Sequence, residues 1–128
     1  MFGALVEGIK SGGINMLDTC TLYRFGKSEK VINAVLNYLI KEEGYKREEF
    51  MISTKCGYIP NDIDSNLTEQ DFIRILTEDN IVKKEDIIHE IHCVSPDFLD
   101  FSVEKSRLGL GLETIDILYL NNFSEAHM

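Results

Sequence analysis

The sequence is short of basic residues, and this shortage excludes one class of function. Lysine and arginine number 13 against 22 aspartates and glutamates, for a formal net charge of -9 at pH 7. A nucleic-acid surface needs clustered positive charges to neutralise phosphates, and no basic stripe stands out along this chain. We therefore expect no nucleic-acid partner, and we interpret the acidic surface chiefly as an aid to solubility.

Long hydrophobic runs are also lacking. Hydrophobic residues make up 44% of the chain, but no run approaches the roughly 20 apolar residues that a membrane-spanning helix requires. The first ten residues include an acid at Glu7 and have no long apolar region, which is not typical of a signal peptide. We expect no membrane partner and a cytoplasmic location.

Cysteine is scarce, and its spacing is not that of a disulfide framework or of a metal site. The three cysteines, Cys20, Cys56 and Cys93, form no CxxC pair, which favours free thiols in a reducing compartment. His89 and His92 lie near Cys93, but no second group of ligands has a matching spacing. We predict no metal site.

The chain does contain an alternation of helical and strand patterns. In chain order these are a helix over 3–11, a strand over 14–18, a helix capped by Ser28 and closed by Gly44, a strand over 50–54, a short helix opened by Thr68, a helix from Ser95-Pro96 to Leu110, and a strand over 115–120. Alternation of this kind is typical of parallel strands joined by crossovers. The sequence predicts one α/β domain with about three parallel strands, too few for a closed barrel.

Each predicted strand ends in a polar residue. Asp18 ends the first strand, Lys55 directly continues the second, Asn121 follows the third, and Tyr23 lies on the loop after Asp18. The carboxyl ends of parallel strands meet at one rim, where such folds place their sites. Taken singly, these residues are as readily turn formers, packing residues or solvated charges. Together they predict one site.

These segments carry a resemblance to a known family. The stretch Asp-Thr-Cys-Thr-Leu-Tyr at 18–23, followed by Ser-Glu at 28–29, resembles the signature of the aldo-keto reductases. Ser-Thr-Lys at 53–55 is similar to their lysine-bearing strand, and 112–120 resembles the strand that leads to their histidine. The resemblance runs from about residue 3 to residue 125.

The resemblance implies both a fold and a mechanism. The family fold is a (β/α)8 TIM barrel of about 250 residues, of which residues 1–128 would supply the second to fourth strands as a truncated domain. The family reduces aldehydes and ketones by transferring hydride from NADPH, and a tyrosine, here Tyr23, protonates the developing alkoxide. An ammonium such as Lys55 favours the ionised form of a nearby phenol. Asp18 would pair with Lys55 and is the implied cofactor-binding residue, and Tyr23 and Asn121 are the implied substrate-binding residues.

The sequence departs from the family pattern at one catalytic position. Asn121 stands where the family usually has histidine, and an amide can donate a hydrogen bond to a substrate carbonyl but cannot relay a proton. The strands that carry the family's main NADPH phosphate contacts lie outside residues 1–128.

Two hypotheses remain open. The first is an NADP(H)-dependent oxidoreductase acting on a small carbonyl substrate, a chemistry that we do not expect of the 128 residues by themselves. The second is a non-catalytic truncated remnant, or a structural or interaction subunit that lacks the cofactor-binding half. An open sheet leaves its edges unpaired, so we also expect self-association or a protein partner that covers the sheet.

Overall fold

Helices and strands alternate along the chain in the computed structural model, which describes residues 1–60, 67–89 and 91–122. The helices are α1 (Phe2–Lys10), α2 (Lys27–Glu42), α3 (Glu69–Glu78) and α4 (Pro96–Leu110). The strands are β1 (Met16–Asp18), β2 (Met51–Cys56), β3 (Ile87–Ile88), β4 (His92–Cys93) and β5 (Ile117–Leu120), and two short 3-10 turns cover Arg47–Glu49 and Lys84–Asp86.

The main sheet has three parallel strands in the order β1-β2-β5. Its register places Asp18 opposite Ser53 and Lys55 opposite Tyr119. This confirms the predicted α/β class with three parallel strands. Within the part of the chain that the structure describes, the sheet is open, so it forms a section of a barrel and not a closed one.

The principal core lies between the sheet and the helices α1, α2 and α4. The side chains at i, i+3, i+4 and i+7 of α2 form one apolar stripe that faces the sheet. Each fully buried Leu or Ile side chain contributes roughly 1.5–3 kcal/mol relative to an exposed one. The buried residues of this core are Val6, Ile9, Leu17, Ile32, Val35, Leu36, Leu39, Phe50, Ile52, Leu110 and Leu112.

The amino-terminal end of α2 differs from the prediction. The helix begins at Lys27 with Gly26 as its N-cap, and Gly26 adopts a left-handed conformation with φ of 78°. Ser28 lies inside the first turn, where its Oγ accepts a hydrogen bond from the buried Thr19 Oγ1 at 3.0 Å. The prediction that Ser28 caps this helix is wrong, because its hydroxyl is bonded to Thr19.

The segment between β2 and α4 forms a second, smaller core. Thr68 caps α3, as predicted, by accepting a hydrogen bond from the Asp71 amide at 3.1 Å. The sequence did not predict the antiparallel hairpin of β3 and β4 that follows. The hairpin packs with α3 and the start of α4 around the buried side chains of Ile59, Phe72, Leu76, Val82, Cys93 and Phe98.

At the amino-terminal end of β5, one carboxylate joins this strand to β2. Asp116 Oδ2 accepts hydrogen bonds from the Ile52 amide at 2.7 Å and from Arg47 Nη2 at 2.6 Å. Burial raises the pKa of Asp116, but the Ile52 amide and the Arg47 guanidinium lower it by more, so its pKa lies below the ordinary value of 3.8. The two strands are thereby aligned at the end opposite the predicted site.

Apolar side chains remain exposed on the sheet. Alternation along the strands places Met16, Met51 and Tyr119 on the face that also bears Asp18 and Lys55, and all three are exposed. We call the apolar surface of these three residues the open face. Leu118 and Leu120 are exposed on the other side of β5.

No helix among residues 1–60, 67–89 and 91–122 has the length and apolar character needed to cross a membrane.

Candidate active site

The candidate site begins with an ion pair across two neighbouring strands. Asp18 ends β1 and Lys55 lies inside β2, two residues beyond the partner of Asp18 in the register and therefore on the same face. Lys55 Nζ lies 2.5 Å from Asp18 Oδ2 and also donates to the carbonyl oxygen of Thr19 at 2.9 Å. The parallel register of β1 and β2 thus brings the two charges into contact.

The other oxygen of Asp18 has a donor of its own. Ser53 Oγ donates to Asp18 Oδ1 at 2.5 Å, and Ser53 is fully buried. Burial raises the pKa of Asp18, but the hydrogen bonds from Lys55 and Ser53, with the Lys55 charge, lower it by more, so its pKa falls below 3.8. The carboxyl group is therefore ionised at neutral pH.

Tyr23 reaches the pair from the loop that follows β1. The backbone of this loop turns sharply: the Tyr23 amide donates to the carbonyl of Cys20 at 3.0 Å, and Arg24 and Phe25 have positive φ angles of 52° and 59°. Non-glycine residues adopt such angles at a conformational cost, and strain of this kind concentrates at functional sites. Tyr23 is 45% exposed, which leaves the residue open to a bound molecule.

The Lys55 ammonium lies 5.0 Å from the centroid of the Tyr23 ring. Burial lowers the pKa of Lys55, but the hydrogen bond and charge of Asp18 raise it by more, and Tyr23 adds a smaller rise, so the pKa lies above 10.5. The lysine is therefore charged at neutral pH, with the phenol beside it.

Asn121 lies at the same rim, but its side chain contacts a cysteine. Its Nδ2 lies 3.8 Å from Cys20 Sγ, and Cys20 Sγ in turn lies 3.9 Å from the carbonyl oxygen of Lys55. The Asn121 backbone amide donates to the carbonyl of Cys56 at 2.8 Å. The structure therefore brings Asp18, Tyr23 and Lys55 together and places Asn121 across Cys20 from them.

Sequence reasoning missed two polar residues that support this rim. The sequence presents Ser53 only as part of a motif, although its position two residues before Lys55 puts its side chain on the same face of β2. The sequence suggests no role for His92 beyond a metal site, which we do not predict. His92 is buried on β4, and its Nε2 lies 2.7 Å from the carbonyl oxygen of Asn121, a contact that could be found only once the hairpin was known.

The described residues hold no group of three or more His, Cys, Asp or Glu side chains that could bind a metal ion.

Comparison with known proteins gives three findings. The model of the aldo/keto reductase family matches residues 4–128. A D-threo-aldose 1-dehydrogenase from a Pseudomonas species is 29% identical over 127 residues, which cover 93% of this chain and 33% of that protein. A crystal structure of a Pseudomonas aeruginosa protein provisionally assigned as an aldo-keto reductase matches 98% of this chain and 37% of its own, with a TM-score of 0.54 and 19% identity. The chain therefore spans about a third of the length of these relatives.

Proposed function

Because the chain belongs to the aldo/keto reductase family, we propose that its rim residues take part in NADP(H)-dependent interconversion of a carbonyl group and an alcohol. The observation that supports this most directly is the contact of three groups: the Lys55 ammonium lies 2.5 Å from an Asp18 oxygen and 5.0 Å from the centroid of the Tyr23 ring. Since the chain spans about a third of its relatives, the activity is proposed for a barrel that includes these residues.

The residues of the rim fit the reacting end of such a cofactor. A bound nicotinamide supplies or accepts the hydride. The Asp18 side chain is 46% exposed, so it remains accessible as an acceptor for a ribose hydroxyl while it holds Lys55. A phenol beside an ammonium provides the proton donor that a carbonyl oxygen needs when it becomes an alkoxide.

In the proposed reaction Tyr23 transfers its phenolic proton to the substrate oxygen. The charge of Lys55 stabilises the phenolate that remains, because an opposite charge close by favours the ionised form. Asp18 keeps the ammonium in place throughout. Asn121 would orient the substrate oxygen through its amide donor, which requires the amide to turn from Cys20 towards the substrate.

The substrate proposed is a small carbonyl compound. The curated relative is named as an aldose dehydrogenase, which favours a small sugar among the candidates. We also propose a cytoplasmic location, because all three cysteines are free and buried and free thiols persist in a reducing compartment.

A second proposal is a non-catalytic interaction subunit. The contact of the Asn121 amide with Cys20 favours it, because that amide is not aimed at the phenol. The two proposals differ in whether the rim binds a nucleotide.

Titration with NADPH, followed by quenching of protein fluorescence, separates the two proposals when it is done on a barrel that includes these residues. Saturable binding in the micromolar range is expected for an oxidoreductase site, and no binding would favour the interaction subunit. If turnover is seen, Tyr23→Phe should abolish carbonyl reduction and leave NADPH affinity nearly unchanged, because only the proton donor is removed. Unchanged turnover in that variant would refute the role assigned to Tyr23.

A further inference from the structure

The two oxygens of the Asp18 carboxylate are divided between two donors. Lys55 Nζ takes Oδ2 and Ser53 Oγ takes Oδ1, each at 2.5 Å. Ser53 is fully buried, and the register sets it directly opposite Asp18. The hydroxyl donor is therefore fixed by the sheet itself.

We propose that Ser53 is a positioning residue, which holds Oδ1 of Asp18 so that Oδ2 directs the Lys55 ammonium towards Tyr23. This inference rests on the proposed function for its catalytic meaning, and on the geometry alone for the positioning.

The need for a second donor follows from the freedom of the Asp18 side chain. The terminal torsion of an aspartate is broad and roughly two-fold, so packing or hydrogen bonds must hold its plane. The Asp18 side chain is 46% exposed, so its surroundings leave it room to turn. With Lys55 as its sole donor the carboxylate could rotate together with the flexible lysine, whereas the buried Ser53 hydroxyl supplies a fixed point.

The orientation of the ammonium follows from its three N–H donors. One is directed to Asp18 Oδ2 and one to the carbonyl oxygen of Thr19. The third is left for Tyr23, whose phenol contributes to the raised pKa of Lys55. If the Asp18 carboxylate rotated away, Lys55 would lose its bond to Oδ2. The ammonium could then turn, and its third N–H would no longer be directed at Tyr23.

Lysine reactivity can test this without a cofactor. Acetylation of Lys55 by acetic anhydride, followed from pH 8 to pH 11 by mass spectrometry with the exposed Lys83 as internal standard, reports the neutral fraction of the amine. Ser53→Ala should raise the relative rate at Lys55 about 3-fold to 10-fold, which corresponds to a pKa lower by about half a unit to one unit. Asp18→Asn should raise it at least as much.

The adjacent residue provides the matched control. Thr54 is also fully buried on β2, but its hydroxyl donates to Glu29 on the opposite face, at 2.8 Å. Thr54→Val should lower stability and leave the reactivity of Lys55 within about 2-fold of the wild type, because it removes a buried hydrogen bond without touching Asp18. Ser53→Cys keeps the volume of the side chain but donates only weakly. It should raise the acetylation rate of Lys55 by less than Ser53→Ala does, and it replaces Ser53→Ala in the test if that variant does not fold.

Two outcomes would overturn the proposal. One is a Lys55 profile in the Ser53 variants that coincides with the wild type while Asp18→Asn is shifted. The other is an equal shift in Thr54→Val, which would make the effect a general consequence of lost stability. If a barrel that includes these residues does not bind NADPH, the reductase proposal fails. The acetylation of Lys55 still decides whether Ser53 positions Asp18, because it needs no cofactor.

Discussion

Asp116→Ala tests how much the hydrogen bonds of the Asp116 carboxylate, which link β5 to β2, contribute to the stability of the chain. The residue offers one oxygen, Oδ2, to the Ile52 amide at 2.7 Å and to Arg47 Nη2 at 2.6 Å. Ile52 is fully buried in the wild type, and its amide donates to the Asp116 carboxylate. The substitution therefore removes an ion pair and leaves an unsatisfied backbone donor in the core.

The two losses differ in size. A buried donor left without a partner costs about 1–3 kcal/mol. The side chains of Arg47 and Asp116 are 27% and 32% exposed, so their ion pair is near the range of surface pairs, about 0.2–1 kcal/mol. We expect Asp116→Ala to lower the free energy of unfolding by about 2–3 kcal/mol. Asp116→Asn should cost about 1 kcal/mol, because the amide oxygen can still accept from Ile52.

The effect of Asp116→Asn should also depend on pH. The pKa of Asp116 in the folded chain lies below the unfolded value of 3.8. A lowered carboxyl pKa gives stability that is present above the unfolded value and is lost as the pH falls through the folded value. The difference between wild type and Asp116→Asn should therefore be constant near neutral pH. It should shrink as the pH falls below 3.8, where the unfolded carboxyl takes up a proton, and through the lower pKa of the folded carboxyl.

Urea unfolding followed by far-UV circular dichroism measures both effects. Asp100→Asn is the control, because Asp100 is an exposed residue of α4 and its replacement removes the same charge. A loss under about 0.5 kcal/mol for Asp116→Ala, or a loss for Asp116→Asn that is the same at every pH, would refute the reasoning.

Two further predictions concern the glycines and the open face. Gly111→Ala should destabilise the chain by about 1–2 kcal/mol in thermal melts, because Gly111 has a φ of 66° and a Cβ there would lie 2.6 Å from Asn33 Oδ1. Gly3→Ala is the control, because a Cβ at Gly3 meets no atom within 4 Å. It should not destabilise the chain in the same melts. The open face of Met16, Met51 and Tyr119 should make the chain self-associate, because a second copy can cover exposed apolar surface. Sedimentation should show concentration-dependent oligomers that Met51→Lys weakens, and a monomer at all concentrations would contradict this.

The predictable part of the fold is the part with a local signal. Thr68 and Asp71 form a capping box that can be identified from four residues of sequence, and the apolar stripe of α2 follows the helical period. The hairpin of β3 and β4 has two residues in each strand, too few to establish an alternation. Its formation depends on contacts with Tyr58 and with the second core, which no local pattern specifies.

The same distinction explains the candidate site. Asp18, Ser53 and Lys55 meet because alternation puts residues two apart on one face, and a parallel register carries that face across to the next strand. Strand periodicity, with the parallel register of β1 and β2, therefore places this part of the rim once these two strands are recognised.

The orientation of the Asn121 side chain, in contrast, depends on contacts with residues distant in the sequence. This side chain contacts Cys20, a residue 101 positions earlier, and the Asn121 backbone carbonyl meets His92 of the unpredicted hairpin. A strand pattern determines that residue 121 lies at the rim, but the direction of its amide depends on which distant groups fill the space beside it. Cys20 and His92 are therefore the residues that set the orientation of Asn121, which stands where the resemblance leads us to expect a histidine. Whether the Asn121 amide can turn to a substrate depends on the strength of a weak contact to sulfur, whereas the backbone bond to His92 would hold the end of β5 in either orientation.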